Sequence, residues 1–450
     1  MRLLGLALCA VPSLAMAQTD VVGTVSAAGG YTDNVLSVPD QPANPGDPTP
    51  EADSFGEVRP SLYINVDGKR SSHRLSYTFV TSVYMEHDEA NSYLNRLDYA
   101  ALFLLSPRTD LALTLGGEQG EQNSFANAAA GMVTALPSGG VNYFSASAAE
   151  SLEFAINPQW RLHQGLATDS FYPSEPDVGP PQPRTFTVEH HLGLARETEL
   201  DLYAADLRNN VGFTTEQADE AGMVVIPRQE VLINSLMGRW RRDLGRDWES
   251  ELALGAVQVS PLRSPEVQVI EPAGQAAIRY LTDDGEAELT YAHDATVNLY
   301  VGQTYLTDGV TLRAGLPLLP EDRLAIAAIA GYQHGREFNA VAQRFTAVVD
   351  VVTVEGSVTW RPDDALWFSL RYAFFTQDGE ASDATAVAPP SFLRNTILFE
   401  VSGSVGQSTP RDRRQLPGRA RVGESRRDFI EGSDDGGDGG DRDRDPRTRR

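Results

Sequence analysis

Apolar and polar residues alternate along most of this chain in eighteen runs of strand length, separated by polar stretches that are by turns short and long. Near the C-terminal end Asn395, Ile397, Phe399, Val401, Gly403 and Val405 share one face, while Arg394, Thr396, Glu400, Ser402 and Ser404 share the other. A period of two predicts a β-strand, because successive side chains of an extended chain point to opposite sides. The preceding runs behave alike. Leu366, Phe368, Leu370, Tyr372 and Phe374 oppose Trp367, Ser369, Arg371, Ala373 and Phe375, and Val352, Val354, Gly356, Val358 and Trp360 oppose Thr353, Glu355, Ser357 and Thr359. Early in the chain Leu75, Tyr77, Phe79, Thr81 and Val83 oppose Arg74, Ser76, Thr78, Val80 and Ser82. The next run sets Leu97, Tyr99, Ala101, Phe103 and Leu105 against Arg96, Asp98, Ala100, Leu102 and Leu104. Alternation is weaker over Val21 to Tyr31, Asp201 to Arg208 and Val267 to Thr282, where Pro272 demands a bulge or the end of a strand.

The connections form a second pattern. Asp67 to Arg70, Ser106 to Thr109, Asn157 to Gln159, Arg196 to Glu199, Asp243 to Arg246, Asp283 to Gly285, Pro320 to Asp322 and Pro362 to Asp364 have tight-turn chemistry. Between them lie Leu36 to Asp53, Glu118 to Gly140, Tyr172 to Arg184, Asn209 to Gln229, Ser260 to Glu266 and Gly379 to Pro390, with shorter gaps near His87, Asn298 and Phe338. Short turns on one side and long loops on the other is the asymmetry of transmembrane β-barrels. Eight turns and nine loops join eighteen strands, an even number that leaves both ends on the short-turn side. All five tryptophans, Trp160, Trp240, Trp248, Trp360 and Trp367, fall beside short turns, as an interfacial girdle requires. A soluble sandwich array or propeller would also alternate, but no repeat of propeller period recurs and the tryptophans would have no reason to cluster. The fold class expected is therefore all-β: a single antiparallel up-and-down transmembrane barrel.

The ends refine this picture. Arg2, the apolar stretch Leu3 to Leu14 and Ala15-Met16-Ala17 read as a secretory leader over residues 1–17, with the barrel over 18–405 and an Asp/Arg/Gly-rich tail over 406–450 expected to be disordered. Cys9 follows Leu8 where a lipoprotein needs a small residue, so it leaves with the leader, and the mature chain has no disulfide, thiolate metal site or cysteine nucleophile. No segment reaches eighteen continuous apolar residues, so membrane residence must come from strands. A net charge of −25 argues against nucleic acid as a partner. Lys69 is the only lysine among many arginines, a bias that high-GC coding produces without any function.

Charge placement sets the candidate chemistry. The non-apolar faces carry Arg59, Arg74, Arg96, Arg161, Arg239, Arg241, Arg279, Arg313, Arg323, Arg371 and Arg394, with Asp98, Glu249, Glu251, Glu286, Glu288, Glu355 and Glu400. An arginine facing lipid at the bilayer midplane costs about 2–4 kcal/mol, so these residues are assigned to a hydrated lumen. Two readings stay open: a mixed-charge lining that braces the wall, or an arginine track for an anionic or hydroxyl-rich substrate. The candidate track is Arg59, Arg74, Arg96, Arg239, Arg313, Arg371 and Arg394 with Trp367 and Phe375. His190 and His191 are adjacent in a strand, point to opposite faces and cannot chelate one metal together. No G-x-S-x-G elbow occurs, and the Gly/Asp-rich run Asp434 to Asp441 lacks a calcium-loop repeat. No cofactor, metal or enzymatic activity is expected.

The mature start, Val25-Ser26-Ala27-Ala28-Gly29-Gly30-Tyr31-Thr32-Asp33-Asn34-Val35, resembles the opening of porin-like outer-membrane barrels of exopolysaccharide export systems, which often begin with a strand ending in Tyr-x-Asp-Asn. The plan is similar to the barrel half of the poly-N-acetylglucosamine exporter, without its periplasmic helical repeats. The resemblance implies an outer-membrane conduit for a secreted polysaccharide, with outer-membrane lipid, the polysaccharide and a separate periplasmic export protein as partners, and Tyr63, Trp367 and Phe375 contacting the polymer. It supplies no catalytic residues. The alternative is a general or solute-specific diffusion porin, and a third class is an enzyme or adhesin built on a barrel.

Overall fold

The computed structural model describes residues 18–39, 49–121, 141–174, 183–218, 224–226, 228–245, 247–265, 267–282, 285–299, 302–320, 323–382, 389 and 391–406. The leader expected over 1–17, the tail beyond Gly406 and most of the loop Glu118 to Gly140 lie outside them. The strands are β1 (Gln18–Thr32), β2 (Asp53–Asp67), β3 (Ser71–Tyr84), β4 (Ser92–Ser106), β5 (Thr109–Glu121), β6 (Asn142–Ala155), β7 (Trp160–Pro173), β8 (Thr185–Glu197) and β9 (Asp201–Thr214). A small hairpin, β10 (Gln217–Ala218) and β11 (Val224–Ile226), interrupts the series. It resumes with β12 (Gln229–Asp243), β13 (Trp248–Pro261), β14 (Val269–Thr282), β15 (Gly285–Asn298), β16 (Gln303–Pro317), β17 (Leu324–Asn339), β18 (Arg344–Trp360), β19 (Leu366–Ala381) and β20 (Phe392–Gly406).

Eighteen of these strands form one antiparallel sheet in chain order, with β9 pairing directly with β12 across the hairpin. The sheet closes because β1 pairs with β2 on one side, Gln18 opposite Asp67 through Thr32 opposite Asp53, and with β20 on the other, Val22 opposite Gly406 through Thr32 opposite Thr396. Closure removes the free edge that lipid could not solvate. Inside the seam the Ser26 and Ser402 hydroxyls hydrogen-bond at 2.7 Å. At the loop end the Tyr-x-Asp-Asn segment works as a clasp. Asp33 accepts from the Asn395 backbone N–H at 2.7 Å and from its Nδ2 at 2.6 Å. Asn34 donates to the carbonyls of Val38 and Leu393 at 2.9 and 3.0 Å and accepts from the Val38 N–H at 3.0 Å.

The alternation read from sequence becomes two faces. Leu75, Leu97, Leu115, Leu236, Leu254, Leu370, Ile397 and Phe399 are exposed on the outside of the barrel. Arg371, Arg394 and Glu57 lie on the inside, around a common cavity. At the short-turn rim Trp248 lies tilted against Tyr280 with centroids 4.7 Å apart, Trp360 lies 5.3 Å from Phe368, and the Arg196 guanidinium sits over Trp160. Trp367 departs from the girdle, because its position in β19 shares the inward face of Arg371. Toward the loop rim Tyr291 and His293 both bind Asp308, and Tyr332 and His334 both bind Asp350. An apolar belt between two amphipathic rims, on a closed barrel, is the form in which strands cross a bilayer. The chain has the form of a transmembrane β-barrel.

Several strands run further into the loops than their sequence suggests. β5 reaches Glu121, β9 reaches Thr214 and β19 reaches Ala381, where loops were expected from Glu118, Asn209 and Gly379. The reason is burial: Asn210 and Thr214 read as polar loop residues, yet both are buried inside the barrel. Asn34→Ala should strand the Leu393 carbonyl and the Val38 amide, at a cost of about 1–3 kcal/mol. We expect a lower temperature for loss of the compact, heat-modifiable gel band, and an unchanged temperature would show that the β1–β20 ladder holds the seam unaided.

Candidate functional site: the lumen

A cavity of about 460 Å³ lies within the wall formed by β2–β4 and β17–β20. Of the candidate residues it brings together Arg59, Arg96, Arg371, Arg394 and Phe375, along with Tyr63. Arg74, Arg239, Arg313 and Trp367 are not among its lining residues. Arg239 on β12 instead donates to Asp206 on β9 at 2.9 Å, Arg313 stands opposite Glu288 in the β15–β16 ladder, Arg74 stands opposite Asn65 on β2, and Trp367 begins β19 beside a short turn.

The arginines do not form a bare cationic track. Arg59 pairs with Glu57 at 2.6 Å, Arg96 with Asp98 at 2.7 Å and Arg371 with Glu355 at 3.4 Å, while Arg394 is buried and donates to the Ser37 hydroxyl at 2.6 Å. The same holds on the far wall, where Arg161 bridges Glu153 and Glu197, and Arg279 bridges Glu249 and Glu288. Partly hydrated pairs of this kind contribute about 1 kcal/mol or less each, so their main effect is to fix where donors and acceptors point. Within the cavity four arginines face three acids, Glu57, Asp98 and Glu355, which leaves one net positive charge. Not every acid follows the inward rule: Glu150 on β6 takes the outward register of Phe144 and Phe154 and accepts from Gln164 at 3.4 Å, and Asp308 and Asp350 take the outward registers of Val310 and Val354.

The loop end of the lumen is narrowed by the wall itself. β14 and β15 pair only from Thr282 opposite Gly285 to Gly274 opposite His293. Beyond that point the outward register of β15, β16 and β17, which carries exposed Tyr291, Val310 and Tyr332 lower down, carries buried Ala295, Leu306 and Phe338. These three pack in one cluster with Val231, Ile233, Val257, Val259 and Ala273, all on the inward faces of β12–β14. The strand ends have therefore left the wall and lie inside it. Arg208 on β9 reaches Asp294 at 2.9 Å, and a Cβ on inward-facing Gly212 would meet Val297. The tip continues across: Leu299 packs against Leu94, Tyr143 and Phe171 of the facing wall, and its carbonyl accepts from the Thr185 hydroxyl at 2.5 Å. Gly302, with φ of +67°, makes the turn and accepts from Thr214 at 2.9 Å. On the other side Tyr305 packs with Val349, Val351, Phe375 and Phe392.

This inner layer is what pattern reading missed. The signal was local, because Thr304, Tyr305, Leu306 and Thr307 are buried in succession, and a strand covered on both faces loses its alternation. Residues 122–140 lie outside the described residues, and the narrowing that is seen comes from β15–β17.

A second loop contact ties the β1–β2 and β3–β4 connections together. His87 meets Glu51 through Nε2 at 2.6 Å and Asp53 through Nδ1 at 3.1 Å, and the Glu86 and His87 amides both donate to Asp53 at 3.0 Å. Hydrogen bonding to Glu51, then to Asp53, raises the His87 pKa above the ordinary imidazole value despite opposing desolvation. A raised folded pKa stabilises the latch fully below the unfolded value, and that contribution is lost as pH rises through the folded one. Amide exchange over residues 85–91 should therefore be slowest near about pH 5.5 and accelerate by about pH 8.5 beyond its intrinsic pH dependence. His87→Ala should abolish that excess. Tyr305→Ala with Phe338→Ala should weaken the inner layer by about 3–5 kcal/mol per ring and raise single-channel conductance; an unaltered conductance would show that the layer does not limit the path.

No protein-family model matches the chain, and no curated protein does either. Solved structures with a similar barrel include OccK9 (OpdG) of Pseudomonas aeruginosa, at 11% identity over 86% of this chain and 99% of that one, with a TM-score of 0.42. OccK2 (OpdF) of the same organism, solved in complex with glucuronate, is 10% identical over 86% and 98% of the two chains, with a TM-score of 0.44. The ferric-catecholate import receptor Fiu of E. coli K12 is 8% identical over 86% and 82%, with a TM-score of 0.43.

Proposed function

We propose that the protein is an outer-membrane diffusion channel for small hydrophilic solutes carrying carboxylate and hydroxyl groups. The supporting observation is the cavity of about 460 Å³ in which guanidinium–carboxylate pairs present donors and acceptors side by side with a slight cationic excess. Its volume is that of a small-molecule site. An extended polysaccharide needs a continuous path through the barrel, and the ends of β15–β17 narrow that path at the loop side. The porin reading thus displaces polymer export as the leading one, and the periplasmic export partner goes with it.

Arg371 is the most loosely paired of the three bridged arginines, so it is the position from which the field can be changed with least disturbance. Arg371→Glu turns the cavity's net charge from one positive to one negative. In planar bilayers with a salt gradient the wild type should show a reversal potential of weak anion preference, and the variant should shift it toward cations. Sugar acids should enter proteoliposomes faster than neutral sugars of equal size. Absence of any conductance, or thinning of surface polysaccharide on deletion of the chain, would sink this reading in favour of the exporter.

A further inference from the structure

On the inner wall of β7–β9, away from the cavity, three ligand-type side chains converge. His163 Nε2 lies 3.4 Å from His191 Nε2 and 3.0 Å from Asp206 Oδ1, and His191 Nε2 lies 3.3 Å from the same oxygen. They come from three consecutive strands in a diagonal register. Gly193 stands opposite both His163 and Asp206, and Gly165 stands opposite His191. Neither neighbour offers a side chain, so the rings lie along the wall toward one another. A Cβ at Gly193 would overlap the His163 ring and Asp206 Oδ1.

We infer that these residues bind a first-row divalent transition-metal ion of the zinc class, independently of what the channel carries. Tetrahedral zinc with bonds of about 2.0–2.1 Å to nitrogen and oxygen holds its ligands about 3.3 Å apart, and the three separations here match one face of that tetrahedron. Two imidazoles and one carboxylate suit zinc, cobalt or nickel rather than calcium or magnesium. Arg239 donates to Asp206 Oδ2 at 2.9 Å, which fixes the carboxylate so that Oδ1 points at the imidazoles. The three side chains retain 19%, 18% and 14% exposure, which leaves the fourth position open to the lumen for water or an anionic group. The opposing account is that both imidazoles donate N–H groups to Oδ1 and no ion is held.

Cobalt decides between them. Full-length protein, folded in detergent and stripped with chelator, should take up one equivalent of Co²⁺ per chain with the intense visible bands of four-coordinate cobalt, and Zn²⁺ should bleach them. His191→Gln should weaken binding at least about tenfold, as loss of an imidazole ligand does. Gly193→Ala should do the same without removing any ligand, and a methyl group in a strand leaves the fold and its heat-modifiable band intact. No four-coordinate spectrum in the wild type overturns the inference, as does a Co²⁺ affinity that Gly193→Ala leaves unaltered.

Discussion

Every feature of this molecule answers to one constraint, that a backbone amide or carbonyl facing lipid must find its partner within the sheet. That constraint fixes the closed barrel, the even strand number and the seam between β1 and β20. It also explains why so much polar chemistry gathers where the chain begins and ends. The seam is the one junction with no covalent turn to hold it, since its strands are separated by nearly the whole chain. Asp33, Asn34, Asn395 and the Ser26–Ser402 pair supply there what a hairpin supplies elsewhere.

The same constraint limits where strands can leave the wall. When β15 turns inward beyond His293, the outer part of β14 loses its partner on that side. Pro272 lies in this stretch, opposite Ala256 on β13, and has no N–H to leave unsatisfied. Glu271 beside it is taken up by Arg336 at 2.5 Å, from a strand that has moved inside the barrel. The proline that weakened the strand pattern in the sequence marks the place where the wall opens. What compensates is burial, since apolar residues on both sides of the displaced strands pack against the inner wall.

Strand number, strand faces and turn positions were legible in the sequence because they depend on a period of two, which each segment carries by itself. Arg371 and Arg394 inside, Leu370 and Phe399 outside, follow from that period alone. What depends on one strand meeting another was not legible. His163 and His191 are 28 residues apart and meet only through the β7–β8 register, and a slip of one residue would put one of the rings in lipid. The adjacency of His190 and His191 drew attention to the wrong pair. The Tyr-x-Asp-Asn segment stands out in the sequence, whereas its action as a clasp needs the position of Asn395. Arg59, Arg96, Arg371 and Arg394 line the cavity, and the pairing of the first three with Glu57, Asp98 and Glu355 reduces a track to a lining of near-balanced charge.

The two halves of the lumen are coupled through Arg208. Its guanidinium joins Glu189 on β8 at 2.8 Å to Asp294 at 2.9 Å, the point where β15 has turned inward. In the ladder Arg208 stands opposite His191, one of the three converging ligand-type residues. The inner strands thus rest on β8 and β9 at two levels: the Thr185 and Thr214 hydroxyls hold the tip, and Arg208 holds the base. At 33% and 27% side-chain exposure the Arg208–Asp294 pair is as hydrated as the pairs elsewhere on the wall, so it contributes about 1 kcal/mol or less and mainly fixes where the strand end lies. A return of β15 to the wall would break this contact along with the apolar packing of its end. The inward position of β15 is held by charge placement as well as by apolar packing, and a solute that competed for Arg208 with its own carboxylate would weaken the first of these without touching the second.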